Sequence, residues 1–166
     1  MNNSQKFFEL LFIYFLLFFS FILDIALLRA SYLQSTLPLS CLYFFMAFRP
    51  AFMPYILLFI LGLLYDIVIG YALGLTALYL LVTKYILEQE DKLMITSSYF
   101  MSWIGAVIFF LGYFTVQWVG NAIANWFFYD FDYLQPTFVL ALLIYPVFAF
   151  MASLGLNLIN KLPSKL

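Results

Sequence analysis

Long apolar runs separated by short polar segments divide this chain into six candidate membrane spans. A helix needs about 20 mainly apolar residues to cross the hydrocarbon core of a bilayer. Uninterrupted runs favour helices over the alternating pattern of a membrane β-barrel, because each spanning helix satisfies its own backbone hydrogen bonds. The predicted spans are residues 10–28, 31–48, 51–69, 73–87, 99–119 and 138–159.

The second and fourth spans are the least regular of the six. The apolar run at residues 37–48 is short, so a full second span must begin near Ser31 and pass Pro38. We expect this segment to be kinked or partly re-entrant. The fourth run, residues 73–87, is also short and contains Lys84, whose long side chain can reach the headgroups.

The positions of lysine and arginine predict the orientation, because cytoplasmic loops are enriched in these residues. With both termini in the cytoplasm, six of the seven basic residues fall on the inner side, and only Arg29 falls on the outer side. The inner residues are Lys6, Arg49, Lys84, Lys92, Lys161 and Lys165. We therefore predict an even number of spans and two cytoplasmic termini.

Composition agrees with a membrane protein and narrows the range of functions to consider. Hydrophobic residues make up 67% of the 166 positions and charged residues 9%, so polar groups could not cover a soluble domain. The sequence predicts one domain, residues 1–166, that is an all-α integral membrane protein with a six-helix transmembrane bundle. Its net charge of −1 and scattered basic residues argue against nucleic-acid binding.

The chemistry of the side chains argues against an enzyme. The chain has no histidine and one cysteine, Cys41, so zinc sites, iron–sulfur clusters and histidine acid–base catalysis are excluded. No serine–lysine pair lies at a common predicted depth, and only Asp24 and Asp66 could form a pair of facing carboxylates. We expect a protein without catalytic residues, cofactor or metal.

Polar residues collect near the predicted outer ends of three spans. Gln117, Asn121 and Asn125 are spaced by four, so they share one face of the fifth span. A polar pocket in the outer leaflet is one interpretation, and simple hydration near the membrane boundary is the other. The residues of the predicted pocket are Asp24, Arg29, Gln117, Asn121 and Asn125.

Asp66 is the most unusual polar residue, since a carboxylate in an apolar span costs roughly 2.5–3.5 kcal/mol at the helix centre. It needs a polar partner, a shallow depth, or both. Arg29 is the predicted partner for Asp66 or Asp24, because it is the one basic residue on the predicted outer side. Gly62 and Gly70 share the face of Asp66, and glycines at this spacing can also serve only close helix packing.

Two charged or aromatic segments have open interpretations. Residues 88–92 fit a solvated charged turn on the inner side, or a docking site for a cytoplasmic partner. Residues 126–133 carry six aromatic side chains and fit an interfacial belt on the outer side, or a partner-binding patch.

Residues 49–78 carry a specific sequence pattern. Arg49-Pro50 begins the segment, and Gly62-Leu63-Leu64-x-Asp66-x-x-x-Gly70-x-x-Leu73-Gly74-x-x-Ala77-Leu78 follows. This pattern resembles the rod shape-determining protein MreD family, with which the chain length, span number and cytoplasmic termini also agree.

The resemblance implies a non-catalytic subunit of the bacterial cell-elongation complex, located in the inner membrane as a multi-pass protein. It implies that the subunit scaffolds an MreC-like single-span protein and lateral peptidoglycan synthesis. Further implied partners are RodA with its transpeptidase partner and, indirectly, the actin-like MreB. The site residues implied for the fold or partner interface are Arg49, Pro50, Gly62, Asp66, Gly70 and Gly74.

The MreD family also resembles the six-helix substrate-binding subunits of energy-coupling-factor transporters. This second likeness would explain a polar pocket in the outer leaflet that holds membrane lipid. It also supplies the alternative function, a vitamin-binding membrane subunit of such a transporter.

Overall fold

The computed structural model describes residues 3–31, 36–70, 72–90, 99–125 and 134–160. These residues form six α-helices and one short 3₁₀ turn, and none of them is in a β-strand. The helices are α1 (Asn3–Ser31), α2 (Leu37–Phe48), α3 (Tyr55–Ile69), α4 (Leu75–Glu90), α5 (Tyr99–Asn125) and α6 (Leu134–Asn160), with the 3₁₀ turn at Pro50–Phe52.

Three helices contain stretches long and apolar enough to cross a membrane, namely Lys6–Leu27, Met101–Ile123 and Pro136–Ile159. The apolar helices α2 and α3 have 12 and 15 residues. At about 1.5 Å per residue they measure about 18 Å and 22 Å, less than the roughly 30 Å of a hydrocarbon core. These features indicate a helical membrane protein whose second and third helices are short.

The second helix is shorter than the span predicted over residues 31–48. Ser31 is the last residue of α1, and α2 begins at Leu37 with Pro38 in its first turn. Proline is favoured at this position because its missing N–H would have no partner inside the helix.

The predicted third span, residues 51–69, contains a turn as well as a helix. The 3₁₀ turn at Pro50–Phe52 is followed by Pro54, whose extended backbone (φ −64°, ψ 152°) precedes the first residue of α3. The fourth helix also begins later than predicted, at Leu75, because Leu73 and Gly74 belong to the turn between α3 and α4.

The short helix α2 is the centre of the bundle. All ten residues from Pro38 to Ala47 are buried. Helices α1, α4, α5 and α6 contact α2. Because α2 carries no charged residue and is apolar on every face, it can be surrounded on all sides. The segment with the weakest sequence signal for a full span therefore forms the core.

The α3–α4 hairpin is the most closely packed helix pair, and α1, which packs against α2 and α6, is the least buried of the three long apolar helices. Helix α1 buries a narrow seam at intervals of three or four residues and exposes large apolar side chains elsewhere. The buried seam is formed by Glu9, Ile13, Leu17, Ser20 and Asp24.

The two segments with open interpretations are described only in part. Residues 88–90 continue α4 as a helix, and Glu88 and Gln89 are exposed. Residues 91–92 and the aromatic segment 126–133 lie outside the described residues, so their interpretations stay predictions.

Candidate functional site

The carboxylate of Asp66 caps the first turn of α4. Its Oδ2 accepts hydrogen bonds from the backbone N–H of Gly74 at 2.8 Å and of Thr76 at 3.2 Å, and its Oδ1 lies 3.2 Å from the same Thr76 nitrogen. The first N–H groups of a helix lack partners within the helix, and its dipole favours a negative charge there. A fully buried carboxylate is thus held by the start of the next helix.

Glycine is required twice in the turn that brings Asp66 to α4. Gly70 has a φ of 82° and follows the last residue of α3, and its N–H donates to the Asp66 carbonyl at 2.9 Å. Gly74 has a φ of 94°. A side chain disfavours this left-handed backbone by roughly 1–2 kcal/mol per residue, whereas glycine adopts it readily.

Gly62 has a different role, because it lets α3 approach the backbone of α4. A Cβ atom on Gly62 would lie 2.4 Å from the Ala77 Cα and 2.7 Å from the Ala77 nitrogen. Small residues allow such close contact between helices in membranes. The glycines of the hairpin are thus used in packing or turn formation within it.

Two polar residues of α5 bind the same turn. Gln117 Nε2 donates to Thr76 Oγ1 at 2.7 Å, and Asn121 Nδ2 donates to Gln117 Oε1 at 3.1 Å. Asn121 Oδ1 accepts from the backbone N–H of Ala72 at 2.9 Å. We call Asp66, Ala72, Gly74, Thr76, Gln117 and Asn121 the Asp66 network.

The Asp66 network joins three helix ends and can fix their relative positions. The side chains of Asp66, Thr76, Gln117 and Asn121 are all at most 3% exposed. Buried polar groups are costly when unpaired, and a hydrogen-bonded network makes one arrangement of the elements more favourable than others. Within the described residues, no three His, Cys, Asp or Glu side chains form a group that could hold a metal ion.

The structure brings together part of the predicted outer pocket. Gln117 and Asn121 join Asp66 through Thr76 and Ala72, as described above. Asp24 is buried on α1. The side chains of Arg29 and Asn125 fall outside the described part of the chain, so the ion pair of Arg29 with Asp66 or Asp24 stays a prediction.

A second polar cluster occupies the opposite end of the α3–α4 hairpin. Lys84 Nζ donates to the backbone carbonyls of Met53 and, at 3.2 Å, of Pro50. It also lies 3.3 Å from Glu88 Oε1, and the Tyr55 hydroxyl donates to Glu88 Oε2. Lys84 is therefore 4% exposed and binds the α2–α3 turn, where the sequence suggested that it reached the headgroups.

An ion pair between α1 and the end of α2 extends this cluster. Arg49 Nε lies 2.6 Å from Oε1 of the buried Glu9. The apolar pattern of the sequence predicted Arg49 just before the third span, but it indicated neither Glu9 nor the role of Lys84. The spacing of four between Lys84 and Glu88 is a signal that could have indicated their pairing.

The pKa of the exposed Glu88 carboxyl is lowered from its ordinary value of 4.5. The first cause is the hydrogen bond from the Tyr55 hydroxyl, and the Lys84 ammonium contributes through a hydrogen bond and its charge. Both groups stabilise the ionised form of the carboxyl.

An apolar groove runs along the surface between α1 and α6, with a volume of about 820 Å³. Its lining is almost wholly apolar and extends on α6 from Leu143 to Leu158 and on α1 from Phe12 to Leu23. These stretches cover roughly 22 Å and 17 Å along the helices at 1.5 Å per residue.

No protein-family model, curated protein or solved structure matches this chain. The class of protein therefore follows from the three long apolar helices and the composition, which indicate a helical membrane protein.

Proposed function

We propose that this chain is a non-catalytic subunit of the bacterial cell-elongation complex in the inner membrane. In this proposal all six helices insert as spans or short spans, both termini lie in the cytoplasm, and the bundle scaffolds an MreC-like single-span protein. RodA, its transpeptidase partner and MreB are the further components through which lateral peptidoglycan synthesis would be directed.

The observation that best supports the proposal is that four residues of the MreD-like pattern build one structural unit. Gly62 sets the distance between α3 and α4, Asp66 caps α4, and Gly70 and Gly74 form the turn. These four residues of the pattern thus each have a physical task in the same hairpin. A rigid non-catalytic element is what a scaffold needs.

The charge arrangement supports the proposed orientation. Arg49 and Lys84 lie at the end of the bundle that also contains the start of α1, because Arg49 pairs with Glu9 and Lys84 binds Pro50. Both belong to the six basic residues counted on the cytoplasmic side. The Asp66 network then lies toward the outer side.

We place the partner span in the α1–α6 groove. Gly62 is occupied by its contact with Ala77, and Gly70 and Gly74 form the turn of the hairpin, so we look for the partner site elsewhere on the bundle. The α1–α6 groove is long, apolar and open, and a single apolar helix could lie in it. Association there would depend on van der Waals packing, which drives helix pairing in lipid.

Disulfide crosslinking tests this placement. Single cysteines are introduced into a Cys41→Ala protein. Met151→Cys places one in the groove, and Ile67→Cys places one on the exposed face of α3 as the matched control. With cysteines placed along the span of an MreC-like protein, we expect crosslinks to residue 151 with helical periodicity and none to residue 67. Equal crosslinking at both positions would exclude a specific groove site.

Cell shape tests the function itself. In a strain depleted of this protein, Asp66→Ala and Gly74→Leu should fail to restore rod shape and should retain less partner in pull-downs. Leu73→Ala, a change at an exposed neighbour of Gly74, should restore both. Stable Asp66→Ala and Gly74→Leu proteins that bind the partner normally and restore rod shape would overturn the proposal.

A further inference from the structure

The apolar surface of the α3–α4 hairpin is much shorter than that of the long helices. Helix α3 has 15 residues and measures about 22 Å at 1.5 Å per residue, whereas the apolar stretch Lys6–Leu27 of α1 has 22 residues and measures about 33 Å. Helix α2 is also short, but its residues from Pro38 to Ala47 are buried. The hairpin exposes large apolar side chains along its length, namely Ile56, Phe59, Ile60, Leu64 and Ile67 on α3 and Leu78, Val82 and Ile86 on α4.

Polar groups mark both ends of the hairpin. At one end the exposed Glu88 carboxylate accepts a hydrogen bond from the hydroxyl of Tyr55, the first residue of α3. At the other end Gly70 and Leu73 of the turn are exposed. A lipid-exposed turn does not occur inside the hydrocarbon, because its backbone groups need water or headgroups. The turn and Glu88 therefore lie at two boundaries of the hydrocarbon, and the stretch of α4 from Leu75 to Glu88 measures only about 20 Å.

The apolar segment before α3 does not extend the hairpin past Glu88. Lys84 Nζ donates to the carbonyls of Pro50 and Met53, so this segment lies beside the last turns of α4. Lys84 precedes Glu88 by one helical turn and is 4% exposed. The short apolar length is thus a property of the whole hairpin and not of α3 alone.

Helix tilt cannot fit both sides of the bundle to one flat bilayer. A tilt of about 25° fits the roughly 33 Å of α1 to a core of about 30 Å, which is an ordinary tilt for a membrane helix. A core of about 22 Å would require a tilt of about 48°, beyond the usual limit of about 40°. Tilting the hairpin would only shorten it further. A short span is accommodated by a thinner bilayer, by side chains that reach the boundary, or by oligomerisation.

The side chains of the hairpin favour lipid over a second protein as the neighbour. Helices pair in membranes through small residues. Among the described residues of α3 and α4, no exposed one is Gly, Ala, Ser or Thr. Gly62 and Ala77 are small, but they are buried against each other inside the hairpin.

On the basis of the proposed insertion of all six helices, we propose that the α3–α4 hairpin holds the adjoining bilayer thin. The hydrocarbon core beside the hairpin is about 8 Å thinner than a core of roughly 30 Å beside α1. The neighbour of this face is therefore lipid with short or disordered acyl chains. The identity of the protein partner does not enter.

Depth measurements with spin labels test the proposal. Single cysteines are introduced into a Cys41→Ala protein, labelled with a nitroxide and reconstituted in dioleoylphosphatidylcholine bilayers. Relaxation by oxygen and by a water-soluble nickel complex gives the depth of each label below the nearer boundary. Ile56→Cys and Ile67→Cys are eleven residues apart on α3, and the matched controls Leu11→Cys and Ile22→Cys are eleven residues apart on α1. All four positions are exposed.

The sum of the two depths on one helix reports the local thickness, wherever the helix is centred. Eleven residues cover about 16 Å, so a core of about 22 Å leaves a summed depth of about 6 Å on α3, and a core of about 30 Å leaves about 14 Å on α1. In dimyristoleoyl bilayers, whose shorter chains thin the whole core, the sum on α1 should fall while the sum on α3 changes little. Equal sums on α3 and α1 in the dioleoyl bilayer would overturn the proposal.

Two other results would also overturn it. A label at residue 67 near the bilayer centre, with depth increasing steadily from residue 56, would show that α3 does not cross and would refute the six-helix insertion as well. Spin–spin broadening with low oxygen access at both α3 labels would show that a second copy covers this face. The purified protein is measured without an MreC-like protein, so failure here leaves the partner pull-down as a separate test of the proposed function.

Discussion

The backbone of Gly62 lies against the backbone of Ala77, so closely that a Cβ atom on Gly62 would come within 2.4 Å of the Ala77 Cα. This contact sets the spacing of α3 and α4. Asp66 then lies one helical turn beyond Gly62, opposite the first N–H groups of α4.

Replacement of Gly62 by alanine should therefore destabilise the protein more than the addition of a single methyl group suggests. The obstacle is backbone, which cannot rotate away, and overpacking typically costs about 1–3 kcal/mol. Thermal unfolding in detergent should show a clear loss for Gly62→Ala and little change for Ile67→Ala, a change at an exposed position on the same helix. Equal melting of the two variants would disprove the close approach.

Removal of the Asp66 carboxylate should weaken the start of α4. Asp66→Ala leaves the Gly74 and Thr76 N–H groups without their acceptor, and a buried unsatisfied donor costs about 1–3 kcal/mol. Asp66→Asn keeps one acceptor oxygen and should fall between alanine and the natural protein. Hydrogen exchange at residues 74–76 should increase in the order Asp, Asn, Ala, and the same exchange in all three would contradict the cap.

Gly70 should be sensitive to substitution although it has space for a side chain. No atom lies within 4 Å of a Cβ placed there, so the penalty comes from its positive φ alone. We expect Gly70→Ala to lose about 1–2 kcal/mol of stability. Gly70→Asn should lose less, because asparagine tolerates the left-handed conformation better. Melting temperatures in which asparagine is no better than alanine would point to a steric cause instead.

The Lys84–Glu88–Tyr55 cluster predicts a dependence of stability on pH. Because the folded pKa of Glu88 lies below its ordinary value, its ionised form stabilises the fold at neutral pH. This stabilisation is lost as the pH falls below 4.5 and through the folded pKa. Between neutral pH and about pH 3.5, the melting temperature should fall further in the natural protein than in Glu88→Gln. An equal fall in both proteins would show that the ionised form of Glu88 does not stabilise the fold.

The helical class and most of the helix positions could be predicted from the sequence, because apolar runs of membrane length are a strong local signal. The ends of α2 and α3 could not be placed this way. Their limits depend on Pro38, Pro50 and Pro54, and the apolar residues between these prolines hide the breaks in the helix. Tertiary contacts decided that the shortest helix lies at the centre.

The candidate site was also predictable in part, because residue spacing along a helix is a local signal. The spacing of Gln117 and Asn121 placed them on one face, and the predicted spans 51–69 and 73–87 placed a turn shortly after Asp66. The hydrogen-bond partners of Asp66 were not predictable. Its carboxylate accepts from main-chain N–H groups, which no pattern of side chains reveals. Glu9 was missed because its partner Arg49 is distant in sequence.

The most direct test of the account is a pull-down of the tagged protein from its own membranes in mild detergent, with mass spectrometry of the bound proteins and small molecules. The account predicts recovery of an MreC-like protein together with wall synthases. Recovery of an ATPase and a coupling subunit with a bound vitamin would contradict it and would assign the chain to an energy-coupling-factor transporter.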